Sequence, residues 1–122
     1  MGTLAVIIIS IVIVIHLYIV WMEMFAWETL GRKVFKGALP DELFRPTKGL
    51  AANQGLYNGF LAAGLIWSFL ITDPIWSDHV AVFFLGCIAV AGIYGAISAS
   101  RKILFVQTLP ALAGMLAILL KS

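Results

Sequence analysis

Residues 4–27 read LAVIIISIVIVIHLYIVWMEMFAW, a run of Ile, Val, Leu and Met interrupted by few polar groups, chiefly Ser10, His16, Tyr18 and Glu23. Wound as a helix at about 1.5 Å per residue, such a run is long enough to cross a hydrocarbon core of about 30 Å. Its β-branched bias does not make it a strand. A lone strand in lipid leaves its backbone unpaired, and helix-length segments in so short a chain cannot close a barrel. No basic segment precedes the run and no small-x-small pattern follows it, so the expectation is a permanent helix rather than a cleaved signal.

Three further apolar runs follow. Leu50 to Ile71 comes after Pro46-Thr47, with Thr47 as a candidate N-cap, and stops before Asp73-Pro74. The third, from Val80 to Ser100, follows Ser77-Asp78, a second cap signal, and Arg101-Lys102 separates it from Ile103 to Leu120. The expected fold is all-α: one integral membrane domain, residues 1–122, with transmembrane helices over 4–28, 50–71, 79–100 and 103–120 in an up-down four-helix bundle. Composition agrees, because 62% hydrophobic and 11% charged residues lie outside the range of soluble domains, and lipid becomes the expected solvent. The eight basic residues lie between the runs and make no continuous face, which excludes nucleic acid as the expected partner. Cys87 is the single cysteine and can form no internal disulfide.

Charge sets the expected orientation. Arg32, Lys33, Lys36, Arg45 and Lys48 fall in the first connection, Arg101 and Lys102 in the third, and only Lys121 on the other side. The positive-inside rule then puts the first and third connections in the cytoplasm and both termini outside, in a multi-pass protein of the cell membrane. Trp21 and Trp27 fall near the inner boundary and Trp67 and Trp76 toward the outer one, as amphipathic rings prefer. Within the long first connection, Pro40 to Phe44 reads either as a short surface helix with Leu43 and Phe44 dipping into lipid or as a solvated loop.

Small residues recur at a spacing of four on the second and third runs: Gly55, Gly59 and Ala63, then Ala91, Gly95 and Ala99. Such stripes let helix backbones approach closely where lipid supplies no hydrophobic drive. They are expected to join the second helix to the third, and the same stripes leave room for a homo-oligomer.

With orientation assigned, the polar groups fall in one half of the bilayer: His16 and Glu23 from the first helix, Asn53, Gln54, Tyr57 and Asn58 from the second, Tyr94 from the third and Gln107 from the fourth. Amides and carboxylates in hydrocarbon are costly unless paired or wet, so these eight residues are the candidate polar pocket, open to the cytoplasm. His16 and Glu23 share a helix face but stand about 10 Å apart along it. Other readings of the same groups stand beside this one. Glu23 could snorkel to the interface and pair with Arg32, Lys48 or Arg101, the amides could serve only as interhelical hydrogen bonds, and His16 could be a satisfied buried histidine. No His, Cys or carboxylate spacing has a metal signature, and no phosphate loop, nucleophile elbow or dinucleotide fingerprint is present, so no cofactor is named.

The residues His16-Leu17-Tyr18, Glu23-Met24-Phe25, Trp27, Gly31-Arg32-Lys33-Val34-Phe35 and above all LAANQGLYNGFLAAG from Leu50 to Gly64 resemble the bacterial membrane protein family catalogued as domain of unknown function 1304. That resemblance covers essentially the whole chain and implies a four-helix inner-membrane protein of about this length. It implies no activity. From the residues themselves, three functions compete: small-molecule or ion transport with Glu23 and His16 exchanging protons, a membrane-embedded enzyme acting on a lipophilic substrate, and an accessory membrane subunit. A small-molecule ligand fits the first two, with its identity open.

Overall fold

All four apolar runs wind into helix, which pairs most of their backbone groups internally. The computed structural model describes residues 1–122 and is all-helical. Helix α1 is Thr3–Phe25, α2 is Lys48–Leu70, α3 is Pro74–Ser98 and α4 is Leu104–Leu119. Two of these, α1 and α3, are long and apolar enough to cross a membrane by length and composition.

The helices pack side by side, α2 against α1 and α3, and α4 against α3 and α1, with sequence neighbours running in opposite directions. One end, the terminal end, carries both chain termini and the short α2–α3 connection. There the α-amino group of Met1 lies 3.2 Å from Asp78 Oδ1, and Ala5 N donates to Ser122 O at 2.8 Å. The opposite end, the loop end, carries the connection from Ala26 to Thr47 and the turn at Ala99 to Arg101.

Toward the terminal end the interior is apolar and closed. Ala5, Ile9, Leu65, Ala81, Leu85, Ile88 and Ala111 are completely removed from solvent. Two of the hydroxyls there need nothing from neighbouring helices: Ser10 Oγ donates to Val6 O (2.7 Å) and Ser68 Oγ to Leu65 O (2.6 Å), each within its own helix.

Several local expectations change. Helix α3 starts at Pro74, because Asp73 is its N-cap: the carboxylate accepts from Ile75 N (2.9 Å) and Trp76 N (3.3 Å), and proline at the first turn has no N–H to leave unpaired. Asp73-Pro74, read from sequence as the end of one helix, starts the next. Thr47 does precede α2, but its hydroxyl does not cap that helix. It donates to Leu43 O (2.6 Å) and accepts from Trp27 Nε1 (3.0 Å), tying the two ends of the first connection together.

That connection folds on itself. Trp27 opens a π turn, Trp27–Gly31, and its ring packs on Phe35 and Phe44 with centroids 5.6 and 5.2 Å away. The Arg32 guanidinium lies over the Phe44 ring and pairs with Asp41 at 2.8 Å. Gly37, at φ 87°, turns the chain back through a conformation that side chains other than glycine rarely adopt. Asp41–Leu43 is a single 3-10 turn, and Phe44 is 1% exposed within this cluster instead of dipping outward.

The small-residue stripes have other partners than expected. A methyl group on Gly55 would run into Met24 and Glu23, and the nearest atom to one on Gly59 belongs to Val20, so the α2 stripe faces α1. Gly95 is set against Ile103 and Gly92 against Gln107 and Thr108, so the α3 glycines face α4. Ala63, Ala91 and Ala99 are exposed. The reason is steric: α1 is dense with bulky side chains and holds no glycine, so close approach to it must come from the partner. Where α2 meets α3, Gly64 lies against Phe84 and Ser77 Oγ donates to Ser68 O at 2.7 Å.

Candidate functional site

Below the closed apolar layer the helices separate toward the loop end and enclose a cavity of about 750 Å³. All four contribute to its wall, and Trp27, Phe35 and Leu39 of the first connection close part of its mouth. Most of the lining is apolar, and Glu23 and Lys102 are the only two charged residues in it.

A hydrogen-bonded row of four side chains from three helices runs inward from the cavity wall. His16 comes from the middle of α1 and is completely buried. Glu23, seven residues further along, falls on the same side two helical turns nearer the loop end. Asn58 comes from the buried face of α2 and Gln107 from the first turn of α4. That turn, Leu104–Thr108, is π-helical, with Leu109 N bonded to Leu104 O, and it delivers Gln107 and Thr108 together to the interior. Gly92 of α3 leaves the space they occupy, and Thr108 Oγ1 donates to Ala89 O at 3.0 Å.

Asn58 Nδ2 donates to Glu23 Oε1 at 2.6 Å, and Gln107 Nε2 donates to Asn58 Oδ1 at 3.5 Å. Gln107 Nε2 also lies 3.2 Å from His16 Nε2, while His16 Nδ1 lies 2.9 Å from Val12 O. A carbonyl only accepts, so Nδ1 carries the ring hydrogen and Nε2 of the neutral ring accepts from Gln107. The row thus reaches from the cavity wall at Glu23 to the buried interior at His16.

Of the eight residues expected at a polar pocket, the structure brings His16, Glu23, Asn58 and Gln107 into mutual contact. Gln54 and Tyr94 are exposed and line the cavity nearer its mouth. Asn53 and Tyr57 do not join them. They lie on the outer face of α2, where Tyr57 packs on Phe60 with ring centroids 6.1 Å apart. Glu23 has no ion pair: Lys48 is 3.8 Å from Glu28, Arg32 takes Asp41, and neither reaches Glu23. Sequence reasoning missed Tyr18 and Lys102 in the lining. Tyr18 stands about 140° around the helix from Glu23, so periodicity does not lead to it, and nothing local marks Lys102 as facing inward.

The family model described as "Protein of unknown function (DUF1304)" matches residues 10–119. The chain belongs to the DUF1304 family. A relative named "Uncharacterized protein YpaA", from Lactococcus lactis subsp. lactis (strain IL1403), is 29% identical over 107 residues, covering 86% of this chain and 88% of the relative. No solved structure matches. The DUF1304 match contains the whole row from His16 to Gln107 and both π turns.

Proposed function

We propose that this DUF1304 protein is a four-span protein of the cytoplasmic membrane that moves a small amphipathic organic cation in exchange for protons bound at Glu23. The observation that carries the reading is a carboxylate without an ion-pair partner, held by one amide in the wall of a largely apolar cavity. Such a group is stable in two ways, protonated or facing a ligand cation, and alternation between them is the chemistry of exchange. Aromatic side chains at Tyr18, Trp27 and Tyr94 suit the apolar body and positive charge of such a ligand.

Four spans are supported by α2, 23 residues or about 34 Å long, and by residues 102–119, helical without a break over about 27 Å. The polar residues of α2 lower its hydropathy without shortening it. Seven of the eight basic residues belong to the loop end, which supports a cytoplasmic loop end and a cavity opening to that side.

The test is transport in proteoliposomes carrying a pH gradient, with tetraphenylphosphonium as the probe cation. Uptake that depends on the gradient and falls to the leak rate in Glu23→Gln is the expected result. Flux unchanged by that substitution, or no flux above protein-free vesicles, would sink the reading.

A further inference from the structure

Both ends of the hydrogen-bonded row are ionisable, and the two amides between them have a direction. As it stands, Gln107 donates one hydrogen toward His16 and the other toward Asn58, and Asn58 donates to Glu23. Both ends are acceptors. A proton on His16 Nε2 would meet the Gln107 NH₂, two donors face to face. The conflict is relieved when the Gln107 amide turns over and offers its oxygen. That oxygen then faces Asn58 Oδ1, so Asn58 must turn over as well and present its own oxygen to Glu23 Oε1. Two oxygens 2.6 Å apart need a hydrogen between them, which only a protonated Glu23 carboxyl supplies.

We propose that His16 is a second proton site, filled only when Glu23 is already protonated, with Gln107 and Asn58 transmitting the condition by turning over together. The converse does not hold, since a carboxylic acid can donate from Oε2 while Oε1 still accepts from Asn58. The order of binding is therefore set: Glu23 at the cavity wall first, His16 in the interior second.

Charge attraction works against this order, because an imidazolium favours an ionised carboxylate. The two groups stand about 10 Å apart along α1 with a cavity beside them, whereas the mismatched oxygens would be in contact. The contact dominates. The other titratable groups facing the site are Tyr18 on α1, Tyr94 on α3 and Lys102 just before α4, and α2 contributes none to the lining. Lys102 is at the mouth, and none of the three hydrogen-bonds to the row.

The proposal extends the exchange reading by a second proton and is tested without a cation, so either can fail alone. In lipid nanodiscs, with His79→Gln leaving one histidine, the protonated fraction of His16 is read by ¹⁵N NMR and that of Glu23 by its carboxylic C=O infrared band. In wild type the His16 signal is expected to change only after the Glu23 band has developed. In Glu23→Gln the side-chain amide can turn either way, and His16 is expected to hold its proton about tenfold more tightly, the worth of one hydrogen bond. Simple charge attraction predicts the opposite sign. Gln107→Met is expected to make His16 insensitive to Glu23→Gln. Looser proton binding in Glu23→Gln, or His16 protonation preceding that of Glu23 in wild type, overturns the proposal even if the Gln107 variant does not fold.

Discussion

The two halves of the molecule treat polar groups in opposite ways. Near the terminal end, Ser10 and Ser68 turn their hydroxyls back onto their own helices and leave interhelical contact largely to apolar side chains such as Ile9, Leu65 and Leu85. Toward the loop end, His16, Glu23, Asn58, Gln107 and Thr108 all bond across helices, beside a cavity. A closed apolar layer holds the four helices at one end, and the other end can then afford space and groups that are costly to bury. Stability resides mainly in the first half and chemistry in the second.

That division is open to attack on a single scale, stability in detergent followed by helical signal against denaturant. Leu85→Ala, at the centre of the closed layer, is expected to cost about 2–5 kcal/mol by leaving a cavity its neighbours cannot fill. A loss no larger than that of a cavity-wall substitution would erase the distinction between the halves.

Asn58→Leu is expected to cost about 1–3 kcal/mol, because Gln107 and Glu23 each lose a partner. Adding Glu23→Leu to it should recover part of that loss, since two apolar residues leave no acceptor stranded. A double-mutant cycle with no coupling would show that the 2.6 Å bond contributes nothing. Thr47→Val removes the hydroxyl that accepts from Trp27 and is expected to cost about 1 kcal/mol, visible as faster hydrogen exchange confined to the first connection. Asn53→Leu, on the exposed face of α2, is expected to change stability by less than about 0.5 kcal/mol. A larger loss would place Asn53 in a contact that a single chain does not contain.

The same contrast separates what could be read along the chain from what could not. Helix content was legible because each apolar run is long and bounded by cap, proline or charge signals. The α3 start was misread because Asp73-Pro74 serves equally as a stop and as an N-cap with proline at the first turn, and only the bonds to Ile75 and Trp76 choose between them. The site was legible as a population of polar residues at one level of the four helices. Its membership was not: Tyr57 and Asn58 are neighbours at nearly the same depth, one 52% exposed and one 5% exposed. The rotation of α2 decides which of them points inward, and that rotation follows from Gly55 closing onto Met24 and Glu23.

Sequence by itself determined the all-helical character, the gathering of the basic residues at one end of the helices and the level at which the polar residues lie, since each follows from local pattern and the cost of burying polar groups. Tertiary structure decided which helices touch through their glycines, that Phe44 folds inward under Arg32, and that His16, Gln107, Asn58 and Glu23 form one row. Those outcomes depend on how bulky and small surfaces from distant parts of the chain fit together, and no local pattern carries that information.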